Sequence, residues 1–151
     1  MSELKRILLA EDSRNDVELT LAALGEHHLA NEVVVVQDGV EALDYLYRRG
    51  GFQARPSGNP AVVLLDLKMP KLDGLEVLKR MKAEAALRTV PVVMLTSSRE
   101  ERDIVESYQL GVNAYVVKPV AFQDFVEAIK SLGLFWAVLN EPPPGSVRKR
   151  E

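Results

Sequence analysis

Several short apolar runs in the sequence lead directly into polar side chains that could do chemistry. In residues 62–66, four apolar residues run straight into the carboxylate of Asp66. A short, uninterrupted apolar run is typical of a strand that is buried on both faces. Because a buried charge must be paired or neutralised, we expect Asp66 at the carboxyl end of that strand, where the backbone meets solvent. A lone aspartate there could be an ordinary turn residue, but Asp66 is one of a set.

Polar residues follow three other apolar runs in the same way. In an open α/β sheet, ligands bind outside the carboxyl ends of the strands, beside the point where the strand order reverses. We therefore predict that these side chains converge with Asp66 on one crevice. They are Glu11 and Asp12 after residues 7–10, Thr96 and Ser97 after residues 92–95, and Lys118 after residues 114–117.

Three carboxylates, a hydroxyl and a lysine at one edge of a sheet suit phosphoryl-transfer chemistry. The carboxylates of Glu11, Asp12 and Asp66 repel one another unless a cation offsets their charge, and oxygen ligands without His or Cys suit Mg²⁺. A carboxylate can attack phosphorus to give an aspartyl-phosphate. The metal would neutralise charge on the transferring group, while Lys118 and Thr96 hold its remaining oxygens.

The elements that must position these residues are five strands alternating with five helices. This alternation favours a parallel sheet with helices on both faces. The strands are the apolar runs at 7–10, 33–36, 62–65, 92–95 and 114–117, and capping residues mark most helix starts. The predicted helices run from Asp16 to Leu24 with Asn15 as N-cap, from the cap Asp38 to Gly50, from the cap Asp73, from the capping box at 98–101 to Gly111, and from Phe122 to Leu139.

Length and composition bound the class of protein. With 151 residues, of which 47% are hydrophobic and 27% charged, the chain fits one globular domain with a real core. The net charge of −3 argues against non-specific nucleic-acid binding, and the lack of cysteine excludes disulfides and thiolate catalysis. We see no signal peptide and no apolar stretch long enough to span a bilayer, which predicts a cytoplasmic protein without membrane contact.

The composition changes near the end of the chain. We predict one domain over residues 1–140, followed by a tail at 141–151 that is rich in proline and then basic. The tail is predicted to be disordered rather than a nucleic-acid site. His27 and His28 are predicted to be solvated, because no spaced partner for a metal site is visible.

Taken together, the motifs resemble the receiver domain of two-component response regulators, the CheY-like family, over roughly residues 5–132. The resemblance implies a flavodoxin-like, doubly wound sheet of five parallel strands in the order 2-1-3-4-5, with helices on both faces and here an extended last helix. The residues that carry it are Glu11-Asp12, Asp66 with Met69-Pro70 and Asp73-Gly74, Thr96-Ser97, and Lys118-Pro119.

The resemblance also implies roles for individual residues. Asp66 would be the phosphoacceptor. Asp12, Asp66 and the backbone carbonyl of Lys68 would ligate Mg²⁺, with Glu11 acting largely through water. Thr96, the Ser97 amide and Lys118 would hold the phosphoryl group, Tyr115 would be the aromatic switch, and the side chains of Lys68 and Ser98 would tune dephosphorylation. The family further suggests a cis peptide at Lys118-Pro119.

Three features resemble the stand-alone response regulators that serve phytochrome-type histidine kinases. They are the long connection at 48–60, the segment at 107–113, and Phe135-Trp136 beyond the usual end of helix five. This resemblance implies a phosphorylated signalling switch whose partner is a histidine kinase. Because exposed aromatic patches usually mark interfaces, we also predict a homodimer through the helix-five region, including Phe135 and Trp136.

Three other functions fit the residues less well. An aspartate-nucleophile phosphatase of the haloacid dehalogenase type has a second aspartate two residues after the nucleophile, where this chain has Lys68. A flavodoxin has a phosphate loop rich in Gly, Ser and Thr after strand one, where Glu11 and Asp12 would repel phosphate. A non-phosphorylated receiver-fold scaffold stays open, although the complete acidic site disfavours it. We expect no enzymatic activity beyond self-phosphorylation and self-dephosphorylation.

Overall fold

The structure, a computed structural model, describes residues 6–25, 29, 32–97 and 100–131. Its centre is a five-stranded sheet in which every neighbouring pair of strands is parallel. The strands are β1 Ile7–Ala10, β2 Val33–Val36, β3 Val62–Leu65, β4 Val92–Thr96 and β5 Ala114–Val117. Their order in the sheet is β2-β1-β3-β4-β5, which confirms the predicted order.

The helices cover both faces of this sheet. One core cluster packs the side chains of Leu8 and Ala10 with residues of the second and third helices, and the other packs Ile7 and Leu9 with residues of the fifth helix. Successive strand residues alternate between the two clusters, so β1 and β3 are buried along their whole length. The helices are α1 Arg14–Ala23, α2 Gly39–Tyr47, α3 Gly74–Ala83, α4 Glu101–Gln109 and α5 Phe122–Ser131, and Gly50–Phe52 forms a short 3₁₀ turn.

The strand register brings the carboxyl ends of the strands to one line. Ala10 lies opposite Val36 on one side and Leu65 on the other. The hydrogen bonding continues past the strand ends, since the Glu11 amide donates to Val36 at 2.9 Å and the Asp66 amide donates to Ala10 at 3.0 Å. Glu11 and Asp66, the first polar residues after β1 and β3, are therefore held in place by backbone hydrogen bonds.

Two of the predicted helix caps are confirmed. The side chain of Asp38 accepts a hydrogen bond from the Glu41 amide at 2.8 Å, and the Glu41 carboxylate accepts one from the Gln37 amide at 3.0 Å. At α3, the side chain of Asp73 accepts from the Glu76 amide at 2.9 Å. These bonds satisfy backbone donors that the first turn of a helix leaves unpaired.

Three predicted helix boundaries were wrong. α1 begins at Arg14 and is capped by Ser13 rather than Asn15, because the extended backbone of Ser13 lets its hydroxyl accept from the Asp16 amide at 3.2 Å. α2 ends at Tyr47 rather than at Gly50, because Arg48 turns into the left-handed region at φ 56°. α4 begins at Glu101, with Glu100 as an N-cap that makes no side-chain capping bond.

Several predictions concern residues outside the part of the chain that the structure describes. They are the solvated pair His27 and His28, the side chain of Ser98, the extension of helix five with Phe135 and Trp136, the domain boundary at residue 140, and the tail at 141–151. Among the described residues, no helix combines the length and apolar character that crossing a membrane requires.

Candidate phosphoacceptor and metal site

Lys118 forms the centre of the site at the carboxyl edge of the sheet. Its ammonium group donates to the carboxylates of Glu11, Asp16 and Asp66, at 3.1 Å to Asp16 and 3.2 Å to Asp66. The Lys118 amide donates to the Thr96 carbonyl at 2.8 Å, which places the lysine directly beyond β4 and β5. The predicted convergence of β1, β3, β4 and β5 on one crevice is therefore observed. The predicted cis peptide at Lys118-Pro119 is also present.

Three of the predicted ligands form an acidic cluster beside this lysine. One carboxylate oxygen from each of Glu11, Asp12 and Asp66 lies within 4.8 Å of the other two. Glu11 and Asp66 are buried, whereas Asp12 is exposed and faces the open side of the site. Hard divalent cations prefer oxygen ligands at short distance, so this donor set fits such an ion.

The electrostatics of the cluster favour the entry of positive charge. Burial raises the pKa of Glu11 to about 7, against the lowering effects of hydrogen bonds from Lys118 and from the Ser13 amide. Burial alone would lower the pKa of Lys118, but its hydrogen bond to Glu11, its attraction to Asp66 and its bond to Asp16 together raise that pKa. Lys118 is therefore held as a cation, and its single positive charge does not balance the surrounding carboxylates.

The backbone after Asp66 is packed too tightly for a side chain at one position. A Cβ atom on Gly74 would lie 2.3 Å from the Asp66 carbonyl oxygen. The Gly74 amide also donates to the Leu67 carbonyl at 2.7 Å. Glycine at position 74 therefore lets the start of α3 close against the residue that follows β3.

The same loop packs against the start of α2. The Leu72 amide donates to the Pro70 carbonyl at 2.8 Å across Lys71, whose φ is 69°, so these residues form a γ-turn of the uncommon positive-φ type. The ammonium of Lys71 lies 3.5 Å from the carboxylate of Asp38. A Cβ on Gly39 would lie 2.2 Å from the Leu72 carbonyl oxygen. The loop after Asp66 is thus in close contact with a second helix.

Thr96, Ser97 and Tyr115 lie where the sequence predicts them. Thr96 ends β4 and is fully buried, Ser97 follows it and is exposed, and half-buried Tyr115 pairs with Met94 across β4 and β5. Tyr115 also lines a surface groove of about 540 Å³ between α4 and α5. Tyr108 and Glu127 line the same groove. The proposed switch residue therefore borders a surface that a partner could contact.

A second groove is lined by two carboxylates of the acidic cluster, Glu11 and Asp12. It has a volume of about 530 Å³, and its other lining residues are Arg14, Val17, Val35 and Gln37. Because Arg14 is exposed at its rim, the groove offers one cation beside the carboxylates.

One residue of the site was missed by the sequence analysis, namely Asp16. The sequence predicts Asp16 only as the start of the first helix, and the structure places its carboxylate 3.1 Å from the Lys118 ammonium. A sequence signal did exist, because Ser13 followed three residues later by Asp16 is a capping pattern that sets the first turn of α1. That signal fixes where Asp16 lies on the helix, but not which residue it contacts.

The fold, the acidic cluster and the central lysine define the class of protein. The chain belongs to the response regulator receiver domain family, which matches residues 7–130. Receiver domains of response regulators generally act in signalling.

Phytochrome response regulators are among the proteins to which the chain is similar. It is 37% identical over 132 residues to response regulator Rcp1 of Synechocystis, covering 87% of this chain and 88% of Rcp1. The structure of the bacteriophytochrome response regulator RtBRR is 66% identical with a TM-score of 0.83, covering 95% of this chain and 87% of RtBRR. The phosphorylated cyanobacterial phytochrome response regulator RcpA is 39% identical with a TM-score of 0.73, covering 89% of this chain and 94% of RcpA. Rcp1 has a structure with bound Mn²⁺.

Proposed function

We propose that the chain is a phosphorylated signalling switch whose phosphoacceptor is Asp66. The observation that carries this proposal is the position of the Asp66 carboxylate. It is buried at the end of β3, belongs to the acidic cluster and lies 3.2 Å from the ammonium of Lys118. The carboxylate thus belongs to a candidate cation site and also contacts a fixed positive charge. These are the two kinds of group that stabilise a transferring phosphoryl group.

In the proposed reaction an oxygen of Asp66 attacks the phosphorus atom of the donor. The bond from phosphorus to the donor atom breaks, and its electron pair leaves with the imidazole of a phosphohistidine or with acetate from acetyl phosphate. Lys118, the Thr96 hydroxyl and the Ser97 amide hold the phosphoryl oxygens. Later attack by water releases inorganic phosphate, and no other enzymatic activity is expected.

A divalent cation belongs to this proposal, and we assign Mg²⁺. The ligands would be Asp12, Asp66 and the backbone carbonyl of Lys68, with Glu11 acting largely through water. The bound ion supplies neutralisation of the negative charge that gathers on the phosphoryl oxygens. The Mn²⁺-bound structure of Rcp1 and the oxygen-only cluster of this chain support the assignment.

The output of the switch is proposed to be the surface around Tyr115. Phosphorylation would draw Thr96 towards the phosphoryl group and let the Tyr115 ring turn inward. Because Tyr115 lines the groove between α4 and α5, that turn would change the shape of the groove. Whatever protein or second copy contacts this surface would then bind one state better than the other.

The kinase partner is proposed to be a phytochrome-type histidine kinase in the cytoplasm. The similarity to Rcp1, RtBRR and RcpA supports this assignment. We also propose a homodimer through the helix-five region, to which Phe135 and Trp136 contribute. In sedimentation velocity over a range of protein concentrations, Trp136→Ala should dissociate at a higher concentration than the wild type. Identical sedimentation of the two proteins would contradict this interface.

The test of the phosphoacceptor is intact-mass measurement after incubation with acetyl phosphate and Mg²⁺. The wild type should gain one phosphoryl group, and Asp66→Asn and a metal-free sample should gain none. Asp44→Asn serves as a matched control, because Asp44 lies on α2 and pairs with Arg49 outside the site. An adduct that persists in Asp66→Asn would mean that another residue is the acceptor. A folded wild type without any adduct would favour the scaffold function instead.

A further inference from the structure

Among the residues that the structure describes, Asp16 is the only carboxylate bound by the Lys118 ammonium that stands outside the acidic cluster. Glu11 and Asp66 both belong to the cluster that fits a divalent cation, and Asp16 does not. A cation can therefore engage the other two carboxylates while Asp16 keeps its contact with the lysine. We propose that Asp16 weakens the binding of an incoming phosphoryl group at the site, because its carboxylate offsets part of the positive charge of Lys118. This inference rests on the proposed phosphorylation of Asp66.

The position of Asp16 is set by the start of α1. The Asp16 amide donates to the hydroxyl of Ser13, which caps the helix, and its side chain extends to Lys118 at 3.1 Å. Asp16 and Lys118 are far apart in the chain, so this contact depends on the packing of α1 beside the end of β5. Because the cap fixes the first turn, the backbone of Asp16 is already ordered, and binding the lysine costs no further backbone entropy.

The three carboxylates that bind Lys118 compete with an incoming phosphoryl oxygen for the N–H groups of the ammonium. An ammonium group has three N–H donors, and Glu11, Asp16 and Asp66 provide three acceptors. A phosphoryl oxygen that binds Lys118 must therefore share or replace one of them. The Asp16 side chain is 38% exposed, against 2% for Glu11 and 8% for Asp66, so Asp16 is the partner that water can most readily replace.

The sign of the effect follows from charge and from the remaining contacts. A carboxylate beside Lys118 repels a phosphoryl dianion and also occupies an N–H group that the dianion could bind. Both effects weaken anion binding. Removal of Asp16 should not release Lys118 from its position, because the buried carboxylate of Glu11 still binds it. Asp16→Asn should therefore bind a phosphoryl-like anion more tightly.

The test compares Asp16→Asn with Glu18→Gln, which removes the same charge from an exposed position on the same helix. Beryllofluoride, which mimics a phosphoryl group on a carboxylate, would be titrated at saturating Mg²⁺ and followed by ¹⁹F NMR. Circular dichroism would establish that each variant is folded. We expect affinity to rise about two- to fivefold in Asp16→Asn, the range for a partly exposed charge pair, and to stay at the wild-type value in Glu18→Gln. The phosphoryl adduct from acetyl phosphate should also persist longer in Asp16→Asn.

The outcomes separate this inference from the function on which it rests. Tighter binding in Asp16→Asn alone supports the attenuating role. Equal tightening in both variants would mean a general charge effect and would overturn it. Unchanged or weaker binding in Asp16→Asn would also overturn it, and weaker binding would mean that Asp16 positions the lysine. If the wild type binds beryllofluoride and forms the phosphoryl adduct, the proposed function stands in each of these cases. If it does neither, both fail.

Discussion

Lys118 and Arg55 are two partly buried cations in different settings. Lys118 lies beyond the carboxyl ends of the strands and is bound by the side-chain carboxylates of Glu11, Asp16 and Asp66. Arg55 lies in the connection that leads into β3 and is bound by backbone carbonyls. Its guanidinium donates to Tyr45 at 2.7 Å, Pro56 at 2.7 Å and Gly58 at 2.9 Å, and it lies 4.2 Å from the centre of the Tyr45 ring.

The difference in partners separates a reactive cation from a structural one. Carboxylates are mobile, charged and able to bind a metal or phosphorus instead, so the surroundings of Lys118 can be exchanged. The carbonyls around Arg55 belong to the backbone and cannot leave without unfolding the loop. The pKa values agree, because burial lowers the pKa of Arg55 whereas bonds to carboxylates raise that of Lys118. Burial of a cation alone therefore does not identify a functional site.

The largest effect is expected from Lys118→Met, which keeps the apolar stem and removes the charge. Glu11 and Asp66 would be left buried without a cation, and breaking such a pair costs about 3 kcal/mol. The free energy of unfolding, measured by urea denaturation without metal, should fall by that amount, and the phosphoryl adduct should be lost. Added Mg²⁺ should restore part of the stability. If Lys118→Met were as stable as the wild type and still formed the adduct, Lys118 would not be the reactive cation that distinguishes it from Arg55.

The second largest loss of stability is expected from Gly74→Ala, because the added Cβ would lie 2.3 Å from the Asp66 carbonyl oxygen. Relieving that overlap moves the backbone of the site, at a cost of about 2–3 kcal/mol. Gly51→Ala is the control in the Arg55 loop, since no atom lies within 4 Å of its added Cβ. Urea denaturation should show a change of about 0.5 kcal/mol or less for that variant. Equal costs at the two glycines would contradict the close packing behind Asp66.

Arg55→Lys should cost about 1–2 kcal/mol, because a lysine cannot reproduce the planar fork that binds several carbonyls at once. The same variant should form the phosphoryl adduct at the wild-type rate, since Arg55 contacts no residue of the acidic cluster in the described structure. Urea denaturation would check the expected loss of stability, and the time course of the intact mass would check the rate of adduct formation. A slower adduct with unchanged stability would reverse the roles assigned to the two cations.

Arg49→Ala should have the smallest effect, about 0.5 kcal/mol. Arg49 pairs with Asp44 at 2.8 Å and lies over the Tyr47 ring, but its side chain is 53% exposed. Pairs in such high-dielectric surroundings contribute little, and salt screens them. Denaturation at low and high salt should show the difference from the wild type shrinking as salt is added. If Arg49→Ala lowered the free energy of unfolding as much as Arg55→Lys, the exposed fraction of the side chain would not predict how much these cations contribute to stability.

Much of the fold could be predicted because its signals are local. Four apolar residues before Asp66 identify a buried strand, and Asp38 and Asp73 with acids three residues later identify helix starts. The start of α1 was predicted wrongly because Ser13 and Asn15 are both acceptable caps, and only the extended backbone at Ser13 decides between them. Likewise, Arg48 carries no residue-type signal for the left-handed turn that ends α2.

The sequence by itself determined the strand-end residues Glu11, Asp66 and Lys118, since strands and their ends follow from hydrophobic patterning. Only the tertiary structure decided that Asp16 shares Lys118, and that Arg55 binds carbonyls of α2 and of its own loop. The physical reason is that patterning depends on neighbours in the chain, whereas these contacts join residues whose distance depends on how helices and loops pack against the finished sheet.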